Sequence, residues 1–245
     1  MLKVRRIYIM MPLTLIIMIS LMRISYIRNF VYKNPMSMWR DDVIKSPNKR
    51  RAHENLGQSL SAAGLYQEAL KELTTVLALK DDGSVPMRDV YREIGVVYYR
   101  VGRIDDSIIA WQKGLRFAPN DAGLLNNLSV AYLTKQSYDE AEAHALAALN
   151  VDPLMPSVMN TLGEVYLKKG KAAEAATYFI RAIEREPDVP ARYWNAALAL
   201  AKGGNIDNAI LYAERFLAMS KNEYARRDAM DLLANLKKLK AKKTH

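Results

Sequence analysis

Two pairs of neighbouring carboxylates are the side chains in this sequence that could do acid–base chemistry: Asp105–Asp106 and Asp139–Glu140. Adjacent carboxylates can share the roles of general acid and general base. Each pair, however, begins a stretch with helical apolar periodicity, where carboxylates accept hydrogen bonds from free backbone N–H groups and interact favourably with the helix dipole. We interpret both pairs as residues that start helices, and the sequence predicts no catalytic residue.

The sequence also lacks a pattern for binding a metal or a cofactor. The three histidines, His53, His144 and His245, are too scattered to suggest a shared metal or catalytic site. There is no cysteine, which excludes disulfides, thiolate ligands and a cysteine nucleophile. Because no glycine-rich phosphate loop, nucleophile elbow or zinc-ligand spacing occurs, we predict no cofactor, no metal ion and no small-molecule substrate.

The net charge of +10 is concentrated at the two ends of the chain. Residues 1–51 contain 11 Lys and Arg against 2 Asp, and residues 221–245 contain 8 basic against 3 acidic residues. The residues between them hold 17 basic and 21 acidic side chains and are therefore mildly acidic. Nucleic-acid binding needs a basic face on the folded surface, so we predict no nucleic-acid partner.

Residues 1–33 are predicted to form a single-pass membrane anchor with an interfacial segment. The stretch from Ile7 to Met22 is uncharged and almost wholly apolar, and basic residues flank it on both sides. It is short for the ~30 Å hydrocarbon core of a bilayer, although snorkelling arginines can extend the span. A cleaved signal peptide begins in a similar way, but the small residues that a cleavage site needs are missing here, which favours an uncleaved anchor.

Residues 50–222 repeat with a period of 34. A proline column and a column of small residues follow this period: Pro119, Pro153 and Pro187, and Gly95, Ser129, Gly163 and Ala197. Each unit has the pattern of two amphipathic helices that meet at a turn, and a proline-marked turn separates the units. Neither helix of a unit can bury its apolar stripe alone, so the units must stack on one another.

This pattern resembles the tetratricopeptide repeat, a family of paired antiparallel helices. Two of the units read "REIGVVYYRVGRIDDSIIAWQKGLRFAP" and "NTLGEVYLKKGKAAEAATYFIRAIEREP". The resemblance implies an all-α, right-handed solenoid with five helix pairs over residues 50–222. Residues 223–245 are predicted to be a capping helix with a basic tail. In the repeat register, residues 34–49 fit the second helix of a half-repeat, with Trp39 in the column of large side chains.

A second resemblance concerns the junction between the anchor and the repeats. The segment "RNFVYKNPMSMWRDDVIKSPNKRRAHENLG" looks like the stretch after the last membrane helix in the transmembrane, tetratricopeptide-containing O-mannosyltransferase-like group. That resemblance implies repeats on the extracytoplasmic side of a membrane, in the periplasm if the source is bacterial. It implies topology and not glycosyl transfer, because the part of those proteins that would hold the catalytic acids is absent from this sequence.

The repeat family also implies a binding groove, because the first helix of each of its pairs lines a concave surface that holds extended peptides or partner helices. Amide side chains both donate and accept hydrogen bonds, so they can hold a peptide backbone of any sequence. Asn55, Asn127 and Asn195 share one column, similar to the asparagine ladder of O-linked N-acetylglucosamine transferase. Asparagine is also ordinary at that column, and both interpretations stay open. The resemblance places eleven residues in the groove: Asn55, Gln58, Arg92, Tyr99, Arg100, Asn126, Asn127, Asn160, Glu164, Trp194 and Asn195.

The sequence therefore predicts a membrane-anchored, non-catalytic scaffold. Its partner would be a protein, bound as an extended peptide or a helix in the groove. Two alternatives remain open. The repeats recruit acceptors for a membrane glycosyltransferase supplied by another chain, or the chain is a soluble or secreted repeat protein whose first residues are removed.

Overall fold

The computed structural model describes residues 18–23, 25–26 and 34–243. Over these residues the chain forms helices and connecting turns without a strand, which confirms the all-α prediction. Residues 18–23 and 25–26 are helical. Twelve further helices follow within the described ranges: α1 (Pro35–Lys45), α2 (Arg50–Ala62), α3 (Tyr66–Ala78), α4 (Met87–Arg100), α5 (Ile104–Phe117), α6 (Ala122–Thr134), α7 (Tyr138–Val151), α8 (Pro156–Lys168), α9 (Ala172–Arg185), α10 (Pro190–Lys202), α11 (Ile206–Met219) and α12 (Glu223–Lys243).

The chain divides into two compact units, one that ends at Val97 and one that begins at Tyr98, so α4 belongs partly to each. In the first unit, α1 packs on α2 and α2 packs on α3. In the second unit, every helix from α5 to α11 packs on the helix that follows it. Helices α6, α8 and α10 are also successive neighbours, so they form one row. This packing is that of a helical repeat solenoid, in which each helix pair contacts the pairs before and after it.

The helix pairs of the second unit share one turn geometry. Glycines with φ of 78° to 80° occupy the turn in three pairs: Gly102, Gly170 and Gly204. Gln136 occupies the fourth turn with φ of 61°. The N–H of Lys171 donates to the carbonyl of Tyr166 at 2.8 Å, and the other three turns repeat this bond. A helix that ends in this way needs one residue in the left-handed region of backbone conformation. Glycine adopts this conformation without steric cost, whereas an L-residue such as glutamine is strained there.

Small residues let the two helices of a pair approach each other closely. A Cβ atom on Gly163 would lie 2.6 Å from Cε1 of Phe179, and one on Gly57 would lie 2.7 Å from Cγ of Leu73. Phe179 and Leu73 are fully buried. Ser129, in the same column, donates its hydroxyl hydrogen to a backbone carbonyl on α7 at 2.7 Å. The small-residue column of the sequence is therefore the line along which first helices contact second helices.

The last helix, α12, continues the pattern of the repeats. It packs on α11, and Leu236 is buried in that contact. Arg226 on α12 donates to the carbonyl of Ser220 at 2.9 Å, and Arg192, which precedes Arg226 by one period, donates to the carbonyl of Glu186 at 3.1 Å. Both arginines thus bind carbonyl groups at the end of the preceding helix, which lack partners within that helix. The boundaries of the cap, 223–245, and of the five units, 50–222, stay predictions.

The predicted anchor falls mostly outside the described residues. Of residues 1–33, the structure describes 18–23 and 25–26. Within the described part of the chain, no helix combines the length and the apolar character that crossing a membrane requires. Residues 34–49 contain α1, whose first turn is capped by the side chain of Asn34, which accepts a hydrogen bond from the N–H of Met36 at 2.9 Å. The assignment of this segment to half a repeat stays a prediction.

Candidate protein-binding groove

The paired carboxylates of the second unit lie in the first turns of helices, and the first member of each pair binds a lysine of the next helix pair. Asp105 in the first turn of α5 accepts a hydrogen bond from Lys135 at 2.5 Å, and Asp139 in the first turn of α7 accepts one from Lys169 at 2.7 Å. Lys169 also binds Glu142, and its hydrogen bonds hold the pKa values of both carboxyl groups below their usual range. These acids therefore connect neighbouring repeats, and the described residues contain no cluster of three side chains that could hold a metal ion.

Four of the predicted groove residues come together on the row formed by α6, α8 and α10. Asn126 lies on α6, Asn160 and Glu164 lie on α8, and Asn195 lies on α10. They line one recess with a volume of about 420 Å³. All four residues are partly buried, so solvent still reaches them.

A network of hydrogen bonds orients these side chains. Asn195 Nδ2 donates to Asn160 Oδ1 at 3.4 Å, and Asn160 Nδ2 donates to Glu164 Oε1 at 2.6 Å. The hydroxyl of Thr161, which also lines the recess, donates to Asn126 Oδ1 at 3.0 Å. An amide group has two N–H donors and an oxygen that can accept twice. Each asparagine is therefore held in place by the network and keeps further hydrogen-bonding capacity for a ligand.

Glu164 is the acidic group of the recess. Its burial raises the pKa of its carboxyl group, while the hydrogen bond from Asn160 and the charge of Lys168 oppose that rise. The rise means that the ionised carboxylate is less well solvated here than in water. An incoming hydrogen-bond donor or cation would restore the lost solvation.

Arg192 adds a buried guanidinium group to the wall of the recess, and that group is already bound. Its Nη1 donates to the carbonyls of Ala182 and Glu186 at 3.4 and 3.1 Å, and its Nη2 donates to Glu186 Oε2 at 2.5 Å. Only 8% of Arg192 is exposed. The guanidinium therefore serves the end of α9, and its charge is balanced by Glu186.

The other predicted residues of the second unit lie elsewhere. The hydroxyl of Tyr99 and that of Thr134 are 2.8 Å apart, and Arg100 is exposed at the end of α4. Asn127 is partly buried on α6 beside Asn126. Trp194 packs on Phe216 of α11, with 5.6 Å between the ring centroids.

Three predicted residues belong to the first unit. Asn55 and Gln58 are partly buried on α2. Arg92 on α4 donates to Asp89 Oδ1 at 2.5 Å, so its guanidinium is bound within its own helix. None of these three residues lines the recess, which lies wholly within the second unit.

Sequence reasoning missed the other six residues that line the recess, among them the hydrogen-bonding residues Thr161 and Arg192. The predicted ladder follows one column of the 34-residue repeat and uses alternate units, whereas the observed contacts join residues 35 apart: Thr161 to Asn126, and Asn195 to Asn160. A search for polar residues at the spacing of 35 would have found both pairs. Arg192 has a weaker signal, since it replaces the apolar residue that Leu124 and Val158 supply at the same repeat position.

Comparison with known proteins identifies the repeats. The family model described as tetratricopeptide repeat matches residues 54–122, 92–156 and 160–224. Among curated protein sequences, none gives a significant match.

Solved structures share the fold at low sequence identity. A chain of the APC/C hetero-tetramer Cut9–Hcn1 matches with a TM-score of 0.71 and 20% identity, over 82% of this chain and 38% of that one, so this chain spans well under half its length. PilF of Pseudomonas aeruginosa matches with a TM-score of 0.64 and 23% identity, over 76% of this chain and 88% of its own. YrrB, described as a TPR protein with an unusual peptide-binding site, matches with a TM-score of 0.58 and 17% identity, over 79% of this chain and 97% of its own.

These structural likenesses carry the fold alone, because all three identities are below 25%. The family match carries more, since it covers over half of the residues with a model of the repeat itself. The chain belongs to the tetratricopeptide repeat family.

Proposed function

We propose that this chain is a non-catalytic scaffold that binds a protein partner in the groove lined by the first helices of its repeats. The observation that carries the proposal is the recess in the row of α6, α8 and α10, where three asparagines and one glutamate converge. An extended peptide presents alternating donors and acceptors along its backbone, and amide side chains can satisfy both. YrrB, which shares the fold, is described as having a peptide-binding site, and this supports a peptide ligand here.

The proposed groove includes all eleven residues predicted from the sequence. Asn55, Gln58 and Arg92 belong to its part in the first unit. Its part in the second unit is centred on the recess and extends to four more residues: Tyr99, Arg100, Asn127 and Trp194.

A photo-reactive side chain at position 130 tests the groove assignment. Val130 lines the recess, whereas Ile109 on α5 is 51% exposed and does not. In the native host, we expect a protein to cross-link to position 130 and the matched control at position 109 to give no such product. Replacing Asn160 and Asn195 with alanine in the same chain should abolish the product while the helical circular dichroism is retained. Cross-links at position 109 alone would refute the assignment.

We also propose that residues 1–33 anchor the scaffold at a membrane and that residues 34–49 form the half-repeat that joins anchor and solenoid. The apolar stretch from Ile7 to Met22 with its flanking basic residues supports the anchor. Anchoring would confine a bound partner to the membrane surface and raise its effective concentration. The full chain should stay with membranes through a carbonate wash, and deletion of residues 1–33 should release it. A full chain that is washed off would refute the anchor and leave the groove proposal intact.

A further inference from the structure

We propose that the recess between α6, α8 and α10 binds a basic side chain, a lysine or an arginine, of an extended peptide, with the cation placed against Glu164. This inference rests on the proposed function and deepens it, because it names the chemistry that the partner must carry.

Glu164 is a partly buried carboxylate that forms no ion pair with a described lysine or arginine. Its side chain accepts one hydrogen bond, from Asn160 Nδ2 at 2.6 Å. Among the ion pairs of the described residues, none involves Glu164. Lys168, one turn later, lowers the pKa of Glu164 through its charge without forming an ion pair. Burial of a charge is costly unless the charge is paired and hydrogen-bonded. A cation that enters the recess would gain a partner that is poorly solvated in the free chain.

The other polar groups of the recess favour a donor rich in N–H groups. Asn126 and Asn195 line the same recess, and the side-chain oxygen of each can accept more than one hydrogen bond. An ammonium group offers three donors and a guanidinium group five. Arg192 does not compete for Glu164, because its guanidinium is bound to Glu186 and to backbone carbonyls.

The apolar surroundings favour a cation at the end of a long aliphatic stem. The repeat position of Glu164 holds Val130 in the preceding pair and Leu198 in the following one. Val130 and Val189 line the recess together with the polar groups. Lysine and arginine side chains place their methylene groups on apolar surface while the charged end reaches a polar partner. A volume of about 420 Å³ leaves room for such a side chain.

Selection of peptides tests this inference. A phage library of random heptapeptides is selected against the full chain, against Glu164→Gln and against Glu174→Gln. Glu174 is exposed on α9 outside the recess, so its replacement makes the same change in net charge without touching the site. We expect the unaltered chain and Glu174→Gln to enrich lysine or arginine at one fixed peptide position, and Glu164→Gln to lose that preference.

A synthetic peptide from the selection then measures the contact directly. Replacing its conserved basic residue with norleucine, which keeps the aliphatic stem and removes the charge, should weaken binding to the unaltered chain at least tenfold. The same replacement should have little effect on binding to Glu164→Gln. Binding to the unaltered chain should also weaken as the pH falls through the titration of Glu164, because the protonated carboxyl group carries no charge to attract the cation.

The outcomes separate this inference from the proposed function. Enriched peptides without a fixed basic position, or a preference that survives in Glu164→Gln, would overturn the inference and leave the scaffold proposal standing. Enrichment of no peptide at all by the folded chain would overturn both.

Discussion

One methyl group added at Gly163 should destabilise the chain when Phe179 is present and stabilise it when Phe179 is absent. The Cβ atom of an alanine at this position would lie 2.6, 2.7 and 2.8 Å from three carbons of the Phe179 ring. Carbon atoms in contact are about 3.5–4.0 Å apart, so the ring and the helix must separate by roughly 1 Å. Phe179 is fully buried, and its neighbours must move with it.

Two opposing effects set the size of the change. Overpacking of this kind costs about 1–3 kcal/mol, whereas alanine stabilises a helix interior by about 1 kcal/mol relative to glycine. Gly163→Ala should therefore lower the free energy of unfolding by up to about 2 kcal/mol in the unaltered chain. In a Phe179→Ala background the steric conflict is absent, so Gly163→Ala should raise the free energy of unfolding by about 1 kcal/mol.

The assay is urea-induced unfolding of the four chains of the double-mutant cycle, followed by circular dichroism and by tryptophan fluorescence. Coincident transitions would establish that the chains unfold in one step, and the coupling energy should equal the overpacking cost of about 1–3 kcal/mol. Gly57 and Leu73 provide an independent second cycle with a closest approach of 2.7 Å. An effect of Gly163→Ala with the same sign and size in both backgrounds would refute the close packing of α8 on α9.

Three further substitutions test the contacts between and within repeats. Gln136→Gly should stabilise the chain by about 0.5–1 kcal/mol in urea unfolding, because Gln136 has φ of 61° where the other turns of the second unit have glycine. Lys169→Met should lower stability at pH 7, and the deficit should shrink as the pH falls through the lowered pKa values of Asp139 and Glu142 in the folded chain. Lys169 holds the pKa values of its two carboxylate partners below their usual range. The ion pairs therefore stabilise the folded chain fully at a pH above the unfolded pKa values, and this stabilisation is lost as the carboxylates become protonated in the folded chain. Arg192→Leu should destabilise by about 1–3 kcal/mol, because it leaves buried carbonyl groups without donors, whereas the same change at the exposed Arg185 should have little effect on thermal unfolding.

The fold could be predicted from sequence because it is specified by local spacing. The 34-residue period places each turn and each small residue without knowledge of the three-dimensional arrangement. The step of 38 residues from Gly57 to Gly95 predicts a longer connection, and eight residues, 79–86, separate α3 from α4 where four, 118–121, separate α5 from α6. The four extra residues are therefore accommodated in a turn and leave the helices at their usual length.

The recess could be predicted only in part. The resemblance to the repeat family implies which face of each first helix lines the groove, which is why Asn126, Asn160, Glu164 and Asn195 are all in the predicted set. The sequence does not predict which of these side chains contact one another, because those contacts depend on how far one first helix is shifted along the neighbouring first helix. That shift brings residues 35 apart into contact, so the side-chain amide of Asn195 donates a hydrogen bond to Asn160. The column of identical asparagines predicted from the period alone would not have placed these groups together.

Stability and ligand choice should be separable at two adjacent residues of α8. Gly163 contacts the buried ring of Phe179, while Glu164 lines the recess. Burial raises the pKa of Glu164, so the folded chain holds a proton on this group more readily than the unfolded chain, and stability should fall as the pH rises through this titration. Glu164→Gln removes that cost and should leave the chain equally stable or slightly more stable at pH 7 while its preference for basic peptides is lost. Gly163→Ala should do the reverse, lowering stability and retaining the preference. If the Glu164→Gln chain instead unfolded at a lower urea concentration than the unaltered chain, the Glu164 carboxylate would stabilise the repeat. The proposal that Glu164 sets ligand preference without contributing to stability would then be wrong.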